Sequence, residues 1–174
     1  IVPKGTVAFG KSISTIESSE NTVVVYGDES VVSELKYITV EVDVSELKEN
    51  KQYKLGITKP VGITSMSVNN ITVNIRLDDS SDKDVNDVKI EYRNLAEGYT
   101  VQGLSESDIK VSVNIKGVKS VLDSITPEDI TAYLDLSGYT EGTYEVEVNV
   151  EGSDTRVQYT AKTRKVRINI EKAS

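Results

Sequence analysis

The sequence predicts a mostly β protein with short helical turns, organised as two tandem small domains. Three observations carry that prediction. Apolar residues alternate with polar ones, as at Ile38, Val40, Val42 and Val44 and again at Val146, Val148 and Val150, which is the period of a strand with one buried face. A strand–turn–strand module is written twice: Val23-Val24-Val25-Tyr26-Gly27, Ser30 through Leu35 and Ile38 through Ser45 return as Val113-Asn114-Ile115-Lys116-Gly117, Ser120 through Ile125 and Ile130 through Ser137. Apolar spacing of the helical kind is confined to segments of one or two turns.

The landmarks Gly27 and Gly117 stand about 90 residues apart, and Asp43 and Asp135 slightly more, so the second copy is longer near Thr126-Pro127. In a chain of 174 residues this spacing gives two small domains, 1–79 and 80–174.

Along the chain, the first strand of the module ends at Gly27, and Val31, Val32 and Leu35 then share one face of a short helix behind Asp28 or Ser30, either of which can cap it. The strand from Ile38 stops at Asp43-Val44-Ser45, where Asp and Ser can each bond a nearby backbone amide. Ile71, Val73, Ile75 and Leu77 form the closing strand of the first copy. The acidic stretch Asp78 through Asp84 has no apolar residue and marks the junction between domains. Val88, Ile90 and Tyr92 then form a strand with no counterpart ahead of the first module, so the first domain is expected to lack its opening strand or to borrow one, which makes a strand-swapped dimer a possible assembly.

In the second copy, Val121, Leu122 and Ile125 repeat the helical turn, and Thr126-Pro127-Glu128-Asp129 has the hydroxyl, proline and acids of a single-turn helix start. The strand from Ile130 ends at Asp135-Leu136-Ser137, and Val166, Ile168 and Ile170 close the copy. The basic cluster Lys162 through Arg167 reads as an edge strand whose cations deter sheet pairing, with a surface for anionic lipid or wall polymer as the alternative.

Twenty Lys and Arg against 28 Asp and Glu give a net charge of −8. A chain this acidic does not suit a nucleic-acid phosphate backbone. There is no Cys and no His, which removes disulfides, thiolate or imidazole zinc sites and His-dependent nucleophile systems. Ser-x-x-Lys pairs occur at Ser33/Lys36, Ser45/Lys48, Ser80/Lys83 and Ser107/Lys110 without the companion signatures of a serine–lysine hydrolase. Asp82-Lys83-Asp84-Val85-Asn86 imitates the start of a calcium loop, but Asp87 stands where glycine is needed and Arg93 where the bidentate acid should be. A solvated acidic linker is the simpler reading, with a looser calcium site as its alternative. Acids alternating with apolar residues, as in Glu145-Val146-Glu147-Val148, are the wet face of a strand rather than a glycosidase pair. Of the nine tyrosines, Tyr26, Tyr37, Tyr53, Tyr133, Tyr144 and Tyr159 cover core edges or line a recognition face.

The order of a strand ending in Gly, Ser-Val-x-x-Leu/Ile, a strand ending Asp-Val/Leu-Ser, a turn leading to Tyr and a closing alternating strand, seen twice, resembles the YbbR-like repeat; Gly98-Tyr99-Thr100-Val101 matches its opening element. The resemblance implies two tandem YbbR-like β domains, related in fold to a domain of a ribosomal L25-type protein. It also implies a Gram-positive parent with an amino-terminal membrane helix and repeats on the extracytoplasmic face of the cytoplasmic membrane. The chain, starting at Ile1, reads as a segment of that parent. The implied role is non-enzymatic, in regulating the membrane-bound diadenylate cyclase that makes cyclic di-AMP, through a membrane helix outside this segment. Catalytic, cofactor and metal residues are expected to be none, and Gly27, Asp43, Ser45, Gly117, Asp135 and Ser137 are structural landmarks. The alternative is a cell-wall or carbohydrate-binding β module; self-association is the other partnership left open.

Overall fold

The structure, a computed structural model, describes residues 1–173. The chain divides into two compact units, Ile1–Ser80 and Ser81–Ser174. Unit 1 carries β1 (Val2–Lys4), β2 (Lys11–Ser18), β3 (Val25–Gly27), α1 (Glu29–Glu34), β4 (Glu41–Asp43), β5 (Lys51–Gly56), β6 (Ile63–Met66) and the first part of β7 (Asn70–Arg93). Unit 2 carries the last part of β7, then β8 (Tyr99–Gly103), β9 (Lys110–Val118), α2 (Lys119–Leu122), β10 (Ile130–Asp135), β11 (Gly142–Glu147), β12 (Asn149–Gly152), β13 (Gln158–Ala161) and β14 (Lys165–Lys172). Among the described residues no helix is long and apolar enough to cross a membrane.

In unit 2 the strands form a three-stranded sheet, β11-β14-β8, and a larger one ordered β12-β10-β7-β9-β13. The alternating valines and isoleucines turn inward from both, so that Val146, Val166, Ile168 and Ile170 meet Val113, Ile115, Ala132 and Leu134 in one core, as two packed sheets require. The helix supplies Val121 and Leu122 to the same core. Tyr159 on β13 lies over Gly152 at the end of β12, where a Cβ would stand 2.0 Å from the ring. The larger sheet therefore curls until its two outer strands approach each other.

Unit 1 repeats this plan on a smaller scale. The closing strand β7 takes β2 on one side and β5 on the other, as β14 takes β8 and β11. Tyr53 faces Val73 in the first unit and Tyr144 faces Ile168 in the second. β3 pairs with β6 as β9 pairs with β13. The core gathers Ile13, Val40, Val42, Val44, Ile71, Val73 and Ile75.

Four expectations need correction. The first unit does have the end of an opening strand: the three-residue β1 runs parallel to β4 with Pro3 opposite Val42 and Lys4 opposite Asp43, as Tyr92 and Arg93 lie opposite Leu134 and Asp135. Its three residues follow a proline-interrupted pattern that hides the alternation. The acidic stretch from Asp78 contains the division between the units, at Ser80 and Ser81, but it is strand within β7 rather than a solvated linker, because neighbouring strands supply its polar partners: Lys11 meets Asp79, Ser12 meets Ser80, and Asn114 and Lys162 meet Asp84. The basic cluster enters β14, the central strand of its sheet, at the end where Lys165 and Arg167 pair with β11 alone, since β8 stops opposite Ile168. Its cations stand opposite acids instead, Arg167 across from Glu145 and Lys165 across from Glu147, a cross-strand pairing that stabilises a ladder. Finally, Asp28 precedes α1 without a side-chain cap; its backbone carbonyl accepts from Val31 and Val32.

Candidate functional site

The repeated landmarks come together as two copies of one turn. Asp43 Oδ1 accepts from the Ser45 amide at 2.9 Å, and Asp135 Oδ1 accepts from the Ser137 amide at 3.0 Å. Each closes an Asx-type turn that ends its strand. Hydrogen bonds from Ser45 hold the Asp43 carboxyl below the usual carboxylate range. Asn94 and then Ser137 do the same for Asp135. Both carboxylates are acceptors already spent on the turn, which is no arrangement for proton transfer.

The residue after each serine takes a left-handed conformation, Gly138 at φ 80° and Glu46 at φ 54°. Glycine adopts it without strain, whereas an ordinary L residue pays about 1–2 kcal/mol. Glu46→Gly is therefore expected to stabilise unit 1 by about 0.5–1 kcal/mol, net of glycine's unfolded-state entropy. A urea titration that shows no gain, or a loss, would contradict the turn as drawn.

The two landmark glycines stand at close approaches. A Cβ on Gly27 would lie 2.2 Å from the Gly62 carbonyl oxygen, at the point where the β3–β6 register shifts. At Gly117 it would meet Leu122 and Val157 side chains at 3.1–3.2 Å. Gly27 makes room for backbone, Gly117 for the core.

The four Ser-x-x-Lys pairs do not assemble. Ser33 Oγ donates to the Ser30 carbonyl, Ser107 pairs with Ser105, and Lys83 Nζ donates to the carbonyls of Leu122 and Ile125. In the calcium-like stretch, Asp82 and Asp84 both accept from Asn114, and Asp87 faces Lys110. Among the described residues no group of three or more acidic or other metal-type side chains is placed to share an ion.

Three polar clusters were not singled out from sequence. Arg93 bonds Glu151 at 2.8 Å and lies 3.8 Å from the centre of the Tyr133 ring, a cation–π geometry. Arg156 grips Asp154, whose carboxyl it holds low, and the Asp154 amide turns to the Tyr159 hydroxyl. Asp108, 7% exposed, accepts from Ser105 Oγ at 2.6 Å and from the Arg167 amide at 2.9 Å; these two bonds lower its carboxyl, Ser105 contributing most. The Ser105…Asp108 spacing was the one signal available for it. Of the tyrosines, Tyr139 and Tyr144 pack edge to face at 4.9 Å, Lys51 sits over Tyr53, and Tyr26 and Tyr37 are exposed.

A cleft of about 440 Å³ opens in unit 1, walled by Ile1, Val25, Leu35 and Val40 and by the polar Glu20, Asn21 and Lys36. It opens beside the small core with a mixed polar and apolar wall.

The family model for YbbR-like protein matches residues 1–75 and 88–170. The chain belongs to the YbbR-like family. The two matched segments coincide with the two β units, so the fold is two tandem small YbbR-like β domains. The chain is 28% identical over 149 residues to the CdaA regulatory protein CdaR of Bacillus subtilis (strain 168), covering 85% of this chain and 31% of that protein. It thus spans about a third of its relative's length. Solved structures with likeness to part of the chain include a YbbR-like domain from Listeria monocytogenes, 22% identical over 54% of this chain and 96% of that one with a TM-score of 0.46. Another is a YbbR-like protein from Streptococcus pneumoniae TIGR4, 21% identical over 55% of this chain and 48% of that one with a TM-score of 0.45.

Proposed function

We propose that this chain is a non-enzymatic regulatory module, the extracytoplasmic repeat region of a membrane-anchored protein that regulates a membrane-bound diadenylate cyclase and hence cyclic di-AMP synthesis. The observation that carries the reading is the likeness, across 85% of the chain, to a protein named as the regulator of CdaA. The use of the landmark carboxylates supports it: Asp43 and Asp135 are committed to ending strands, and the activity is assigned to a partner rather than to these units. In this reading the repeats engage a component outside the membrane, or one another, and that engagement biases a membrane helix of the parent against the cyclase.

The test is a parent protein from which residues 1–174 are deleted while its remaining segments are kept. Cyclic di-AMP levels are expected to lose a response that the intact parent supports. An unchanged response under every growth condition would overturn a regulatory role for this region.

A further inference from the structure

We draw no further inference here: the strongest candidate, the apolar tip of the turn ahead of β2 in unit 1, where Phe9 stands 100% exposed beside Gly10 at φ 79° while the matching turn of unit 2 carries Glu97 beside Gly98 at φ 80°, carries no proposal because nothing in the structure shows what covers it.

Discussion

Ile168→Ala is expected to cost unit 2 about 2–5 kcal/mol, and Ile168→Val about 0.5–1.5 kcal/mol. Ile168 is fully buried on β14, the central strand between β11 and β8. Its side chain points into the core shared with the larger sheet, so truncation removes contacts from both layers and leaves a void that neither sheet can close without breaking a ladder. Cavity and transfer costs add in such a place, and valine, which keeps the branched shape, forfeits only part of them. Urea unfolding followed by far-UV circular dichroism, with amide exchange on β14, measures both. An alanine variant that loses less than about 1 kcal/mol would mean that the core around Ile168 is loosely packed, contrary to its burial.

Ile168 also illustrates what the residues announced in advance. Alternation at Val166, Ile168 and Ile170 identified the strand and its inward face, and the double module identified the repeated plan, because burial on one face forces a period of two whatever the partners are. Partner identity is a different matter. Nothing in Lys162 through Arg167 distinguishes a cation guarding an edge from one facing Glu145 or Glu147 on the next strand; only the register decides. The acidic run after Leu77 does hold the division between the units, but its strand conformation was hidden for the same reason: without Lys11, Asn114 and Lys162 in view, its polar residues have no visible partners. β1 was hidden by its brevity and by Pro3, and its role emerges only when Lys4 is seen opposite Asp43.

The landmark residues were legible as structure, and less so in detail. Asp43-Val44-Ser45 and Asp135-Leu136-Ser137 do end strands by the side-chain-to-amide bond that their spacing suggested. The matched glycines proved unlike each other, because Gly27 yields to a crossing backbone and Gly117 to core side chains. Asp108 was overlooked because a lone acid near a strand end carries no periodicity; its importance lies in a backbone amide about sixty residues away.

Asp108→Ala is expected to cost about 1–3 kcal/mol at neutral pH, by removing the charged acceptor of the part-buried Arg167 amide bond. β8 ends at Gly103 opposite Ile168, so the adjoining Arg167 passes beyond its last ladder pair. Leu104 N still donates to Arg167 O, but the Arg167 amide itself turns to Asp108 Oδ1 at 2.9 Å. Ser105 Oγ donates to the other carboxylate oxygen and fixes its direction. Both bonds favour the charged form, so the folded carboxyl titrates below its unfolded value of about 3.9. A group depressed in this way stabilises the fold fully above the unfolded pKa and loses that contribution as pH falls through the lower, folded value. The gap between the wild-type chain and Asp108→Ala should therefore be constant from pH 7 down to about 5 and shrink only in stronger acid. Asp108→Asn keeps an oxygen for the Arg167 amide but cannot ionise. It should lose less at pH 7 than alanine does, and its stability should fall less steeply in acid than that of the wild-type chain. Urea midpoints for the three proteins at pH 7, 5 and 3 test both statements. An alanine variant as stable as the wild type at pH 7, or an asparagine variant with the wild-type acid response, would show that Asp108 does not hold β14 to the turn.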